Sequence, residues 1–320
     1  MTSTGPRRRP VRTIFLGSGR FGIESLRCLV GHPDVDVVGV VSAPPRPAGR
    51  AQVLTATPID DAAHELAVHD VLMPEQLRAP GSVAAVMALD PELLVLADYG
   101  QIVPAALLGL PHGALNLHPS LLPRYRGATP VQTAILAGDR ETGVTLMLMD
   151  EGLDTGPIVA QTRHRLDGTE TAIVLEDALA VEAGELLAVA LGPWLRGETR
   201  SVAQPAAGAT STRSFRREDG RLDPTRPAVE LERQVRALVP WPGSFVETPS
   251  LGRLIVESAT LARGEMGDIA GHLAADKDGL ALTTADGRLR LGLVRVSGRK
   301  SMTSADLRRG TPGLVDSAVR

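Results

Sequence analysis

The 320-residue chain is 43% hydrophobic and 22% charged, with 34 Lys and Arg against 37 Asp and Glu. That is ordinary globular composition, and the length suggests about two domains. Aromatic residues make up only 2%, so the core has to be built from Ala, Val, Leu and Ile.

Whole chemistries drop out on residue counts. The single cysteine, Cys28, leaves no disulfide and no CxxC metal site. Lys277 and Lys300 are the only lysines, and the GxxxxGK[ST], GxSxG and HExxH motifs are missing. No apolar run reaches the roughly 18 residues of a membrane span. The run behind Arg7, Arg8 and Arg9 is too short for a signal peptide, so a cytoplasmic location is expected.

Along the first 200 residues, strand-like and helix-like patterns alternate. Arg12–Leu16 reads as a short apolar strand. Phe21–Gly31 has helical spacing, with Phe21, Ser25 and Leu29 on one face. Val35–Val41 is nearly continuous and β-branched, as in a strand buried on both faces. Ile59–Val68 and Ser82–Leu89 read as helices, and Leu93–Ala97 and Ala114–His118 as buried strands. Thr129–Ala137 is helical, Gly143–Met149 and Ile158–Arg165 are strands, and Thr169–Leu195 is a long helix. This alternation predicts an α/β fold with a doubly wound, mostly parallel, Rossmann-like sheet.

Val202–Ser211, rich in Ala, Gly, Ser, Thr and Pro, has linker composition. Pro227–Leu238 reads as one helix, broken by Pro240-Trp241-Pro242-Gly243. Short β patches follow at Arg253–Ser258, Leu280–Thr284 and Leu289–Val296, as in a small barrel or sandwich. Expected boundaries are 1–203, a linker at 204–215, and 216–320. Charge splits at the same place. Residues 1–203 hold 16 Arg against 23 acids, and residues 204–320 hold 18 basic against 14 acidic residues. A basic second domain points to a polyanion, although an uneven solvated surface reads the same way.

Gly17-Ser18-Gly19-Arg20-Phe21-Gly22 is a GxGxxG after the first strand. A dinucleotide site also wants an acid at the end of the second strand, where Ser42-Ala43-Pro44-Pro45-Arg46 stands instead. The motif therefore reads as a packing turn, with an NADP-dependent oxidoreductase as the alternative, in which Arg46 and Arg50 would meet a 2′-phosphate.

Asn116 and His118 lie two apart on a strand and share a face. The acidic turn Met149–Gly156 follows the next strand and is placed to return a carboxylate to the histidine. A histidine moves protons near neutral pH, an asparagine amide donates to an oxyanion, and a carboxylate orients an imidazole. The set suits acyl transfer by direct attack without metal. On spacing alone, a structural histidine and a backbone-bonding asparagine are the commoner readings.

ALNLHPSLLPRYRGATP followed by DEGLDTGPI resembles the formyltransferases that use 10-formyltetrahydrofolate. FLGSGRFGIESL, RPAGR and EDGRLDPTRPAVELERQVRALVPWPG resemble the branch that acts on methionyl-tRNA, and the likeness covers roughly residues 12–310. It implies a catalytic trio of Asn116, His118 and Asp154. It implies folate contacts along Ser120, Leu121, Leu122 and Pro123, and tRNA contacts at Arg46, Arg50, Arg213, Arg216 and Arg217. It further implies an OB-like β-barrel for the second domain, a fold suited to nucleic acid. The co-substrate is then 10-formyltetrahydrofolate, with no metal and no NAD(P). The acceptor is the end of the initiator tRNA, and the chain is expected to be a monomer away from membranes. Tyr125 stands where the family often has tryptophan, and the stretches after RPAGR and in the linker are poor in lysine. A formyltransferase acting on a sugar or nucleotide amine shares the trio but does not predict this second domain.

Overall fold

The computed structural model describes residues 9–48, 52–277 and 279–319. The chain folds as two compact units. The first holds residues 1–130, 141–165 and 176–212; the second holds 131–140, 166–175 and 213–320.

The first unit is built on a seven-stranded sheet. Its strands are β1 (Val11–Leu16), β2 (Val35–Val41), β3 (Val71–Leu72), β4 (Leu93–Ala97), β5 (Ala114–His118), β6 (Glu141–Leu148) and β7 (Ile158–Arg165). The order is β7-β6-β5-β4-β1-β2-β3. The first five strands are parallel, and β6 and β7 add antiparallel pairings at one side. This is the doubly wound, mostly parallel sheet that the alternation predicts. All five residues of β4 are buried, which is why it reads as one apolar run. Strand order reverses between β1 and β4, making a switch point at their carboxyl ends.

Helix α1 (Ile23–Gly31) follows a 3-10 turn at Arg20–Gly22, and Phe21, Ser25 and Leu29 are buried together as their spacing predicts. Helix α2 (Pro58–Glu65) starts where Thr57 accepts the Asp60 N–H at 3.1 Å, with Pro58 in the first turn. Helices α3 (Pro80–Met87), α4 (Pro130–Ala137) and α5 (Ala172–Leu195) complete the series. One core cluster joins Ile14, Leu16, Val41, Leu94, Leu96 and Ala114 to Leu77, Val86 and Leu107.

The segment Pro44–Thr57 reads as a loop from its prolines and glycine. It contains a short antiparallel pair, Arg46–Ala48 with Val53–Thr55.

The second unit carries α6 (Ala228–Leu238) and short antiparallel strands, the small β architecture predicted for it. These are β8 (Ser244–Thr248), β9 (Gly252–Val256), β10 (Ala259–Ala262), β11 (Leu273–Asp276), β12 (Gly279–Thr283), β13 (Arg288–Leu291), β14 (Leu293–Val296) and β15 (Met302–Thr303). They form two four-stranded sheets, β8-β9-β14-β15 and β10-β13-β12-β11. Leu289–Val296 reads as one strand but is two: Gly292 separates them, and each joins a different sheet. Leu231, Val246, Leu254, Leu280, Leu289 and Val294 share the core between them. Helix α7 (Ser304–Gly310) closes the unit, with Thr303 capping the Asp306 N–H at 3.1 Å.

Candidate active site

The site is built at the carboxyl end of β5. Leu115 and Leu117 are buried in the sheet, which leaves Asn116 and His118 on the opposite face. Asn116 is half-buried, and its amide is bonded to no described residue. His118 is only 5% exposed, so its ring contacts are set by the protein. Its Nε2 lies 2.9 Å from the Tyr125 carbonyl oxygen. A carbonyl can only accept, so Nε2 carries a proton and Nδ1 is the nitrogen left to exchange one. Nδ1 lies 3.6 Å from Asp154 Oδ2. The structure thus brings His118 and Asp154 together, and Asn116 stands two residues back on the same face.

Besides His118, Asp154 is held by two partners from elsewhere in the chain. It sits in the left-handed region at φ 52°, which an aspartate tolerates better than most residues. Its Oδ2 accepts the Gly127 N–H at 2.7 Å. Its backbone carbonyl and that of Gly156 accept the two Gln204 amide hydrogens at 2.9 and 2.8 Å. Gln204 Oε1 in turn accepts from the Arg126 guanidinium at 2.7 and 3.0 Å. The acidic turn is also closed on itself, since Asp150 Oδ1 accepts from Gly152 N–H and Thr155 Oγ1.

The loop after β5 is rigid by its own bonding. Ser120 is fully buried and donates its hydroxyl to the Arg124 carbonyl at 2.7 Å. Leu122 N–H goes to Thr145 Oγ1, and Leu122 carbonyl accepts from Gln161. The Pro123 carbonyl accepts Thr210 N–H, and the Leu122–Pro123 bond is cis. Leu121 is half-buried with its backbone N–H bonded to no described residue. A Cβ on Gly143 would strike Thr162 and Leu121, so glycine there lets β6 carry this loop.

Sequence reasoning missed Tyr125, Gly127, Thr145, Gln161 and Gln204. Tyr125 and Gly127 act through backbone atoms, which carry no residue-type signal. Gln204 and Thr210 sit in the segment read as linker. In the structure residues 202–212 run along the site: Val202 bridges Ile158, and Ser211–Thr212 pairs in parallel with Arg126–Gly127.

The three glycines of the GxGxxG motif meet protein atoms. A Cβ on Gly17 would strike Phe15 and the Ala97 carbonyl, one on Gly22 would crowd the same carbonyl, and one on Gly19 would overlap the Asp98 carboxylate. Packing of β1 and α1 against the end of β4 accounts for the motif.

The basic candidates fall in both units. Arg46 is exposed on its short strand, and Arg50 lies outside the described residues. Arg213, Arg216 and Arg217 are exposed in the second unit. Arg213 grips Asp219 through two 2.7 Å bonds, holding that carboxyl down at about 2. Arg217 lies 5.8 Å from the exposed Trp241 ring. Among the described residues no group of three His, Cys, Asp or Glu is placed to hold a metal, and no helix is long and apolar enough to cross a membrane.

Comparison with known proteins places both parts of the chain. Residues 11–191 match the formyl transferase family and residues 215–312 match the formyl transferase C-terminal domain. The chain is 42% identical over 300 residues to the methionyl-tRNA formyltransferase of Myxococcus xanthus (strain DK1622), covering 93% of this chain and 95% of that protein. It is 43% identical over 306 residues to the methionyl-tRNA formyltransferase of Gluconacetobacter diazotrophicus, covering 94% and 97%. Among solved structures, the N-formyltransferase from Helicobacter canadensis with folinic acid and dTDP-3-aminofucose superposes with a TM-score of 0.63 at 18% identity, covering 88% and 98%. HypX from Aquifex aeolicus superposes with a TM-score of 0.63 at 19% identity, covering 96% of this chain and 50% of that one. These two share the fold. With both family domains matched in order and 42% identity over 93% of its length, the chain belongs to the methionyl-tRNA formyltransferase family.

Proposed function

We propose that the chain transfers the formyl group of 10-formyltetrahydrofolate to the α-amino group of methionyl-tRNA, the initiator of translation, as a cytoplasmic monomer. The observation that carries the reading is the strand-end trio inside a chain whose relatives share both domains. Residues 1–203 serve as the catalytic domain, 204–215 as the connection and 216–320 as the tRNA-binding domain.

The co-substrate supplies an activated formyl carbon. The residues around β5 suit it: the Asn116 amide and the Leu121 N–H are donors not taken by the protein, and the loop 120–123 is held still by Thr145, Gln161 and Thr210. Leu121 and Pro123 line the folate side, and the buried Ser120 and Leu122 hold the loop behind them.

Alpha-amines titrate near 7.7–8.0, so an appreciable fraction of the acceptor is already neutral and needs no strong base. Asn116 donates to the oxygen that gains charge as the amine adds. Protonated His118 Nδ1 supplies the second donor there, hands its proton to the departing nitrogen and takes up the proton that the attacking amine sheds, while Nε2 stays on the Tyr125 carbonyl. Asp154 orients the ring and is the partner for its charged form.

Arginines receive the tRNA. Arg46 and Arg50 meet the acceptor end, and Arg213, Arg216 and Arg217 meet phosphates, a task to which the planar guanidinium is suited.

The test offers purified protein 10-formyltetrahydrofolate with charged initiator tRNA, free methionine and a nucleotide-sugar amine. Formylation of the tRNA alone supports the reading. Preference for the sugar amine overturns it.

A further inference from the structure

We propose that Asp98 determines acceptor specificity, its carboxylate taking a hydrogen bond from the free hydroxyl of the ribose that carries the methionyl ester. The inference rests on the function proposed above.

Asp98 follows β4 at the switch point of the sheet, where ligands of open α/β folds bind. Leu96 pairs with Asn116 and Ala97 with Leu117, so Asp98 stands one strand from the end of β5, about 4.8 Å across the sheet. On its other side is the loop after β1. Ser18 N–H donates to the Asp98 carbonyl at 3.0 Å, and Gly19 lacks the side chain that would overlap the carboxylate. The glycine motif therefore makes room for an acid.

That acid is left unpaired. It is solvent-accessible, yet it accepts no hydrogen bond and forms no ion pair with any described residue. Crowding by the protein pushes its carboxyl up. Glu176 nearby is also pushed up, by burial first and by the Asp98 charge second. Arg20, next in the chain to Gly19, is turned to Asp177 at 3.3 Å. The backbone at Asp98 is left-handed, φ 53°. An unpaired carboxylate on such a backbone at a strand end is a candidate for function.

An ionised carboxylate only accepts, so its partner must donate. The amine belongs one strand away, beside Asn116 and His118. An ammonium on Asp98 would be held charged and out of reach of the reacting carbon. What extends from the amine toward the switch point is the ester and its sugar. The sugar offers the hydroxyl next to the ester oxygen, the group by which RNA differs from DNA.

The experiment compares two acceptors, methionyl-tRNA ending in adenosine and methionyl-tRNA ending in 2′-deoxyadenosine, with wild type, Asp98→Gly and Asp98→Asn. Glycine and asparagine both tolerate the left-handed backbone. In wild type, loss of the hydroxyl should lower kcat/KM roughly ten- to hundredfold, the worth of a hydrogen bond to a charged group. In Asp98→Gly that penalty should shrink to under about threefold, and Asp98→Asn, which keeps an acceptor oxygen, should retain part of it. The same penalty in wild type and Asp98→Gly overturns the proposal, as does no penalty in wild type. A matching rise in KM for 10-formyltetrahydrofolate would assign Asp98 to the folate side instead and also overturn it. Failure of wild type to formylate the ordinary methionyl-tRNA removes the proposed function, and this inference with it.

Discussion

His118 Nδ1 stands 3.6 Å from Asp154 Oδ2, and that same oxygen accepts the Gly127 N–H at 2.7 Å. The carboxylate is thus aimed by backbone before the imidazole engages it. Replacing Asp154 by Asn keeps the shape and removes the charge. The reading predicts a large loss of kcat with an altered pH profile of kcat/KM, because the partner of the charged ring is gone. An unchanged profile in steady-state assays would reduce Asp154 to a structural element.

His118→Ala should lower kcat by about 10²- to 10⁴-fold, the worth of a positioned proton carrier. The KM for the folate should change far less. Single-turnover formylation measures this directly, and a loss below about tenfold would remove His118 from the chemistry.

Asn116→Ala tests the oxyanion donor. Its amide is bonded to no described residue, so thermal stability should stay close to wild type. Turnover should fall roughly 10²- to 10³-fold. Near-normal turnover would take Asn116 out of the trio.

Gln204→Ala removes a brace that no charge or motif announces. Two amide hydrogens hold the Asp154 and Gly156 carbonyls, and its oxygen holds Arg126. Losing these should destabilise the fold by about 1–3 kcal/mol, the cost of leaving partly buried polar groups unmatched. It should also lower kcat through a displaced Asp154. Denaturant unfolding together with kcat checks both; a stability loss with full activity would separate the brace from the site.

Asp98→Asn should raise the melting temperature at neutral pH. Crowding raises the Asp98 pKa, so the folded chain holds that proton to a higher pH than the unfolded chain. Its ionisation therefore costs stability as pH rises through the raised value. The gain from asparagine should be present at pH 7 and vanish as pH falls through that value, where aspartic acid is itself neutral. Calorimetry at several pH values checks the sign.

The residue string by itself determined the elements with strong periods and the residue types of the chemistry. Buried parallel strands such as Leu93–Ala97 are unbroken apolar runs, and Ala114–His118 places its two polar residues on one face by the period of two. Both patterns are local. The division of Leu289–Val296 between two sheets was not local: it depends on which strands each half pairs with, and Gly292 alone does not announce it. Spacing left open which of the three acids of its turn meets His118; the resemblance implied Asp154, and the tertiary structure supplies the physical reason. The Gly127 N–H and the Gln204 amide reach it from distant parts of the chain. The same holds for Gly19, which reads as part of a packing turn without saying what packs there; the fold lays the Asp98 carboxylate against it. A glycine records only that something comes close; what comes close is set by strand order.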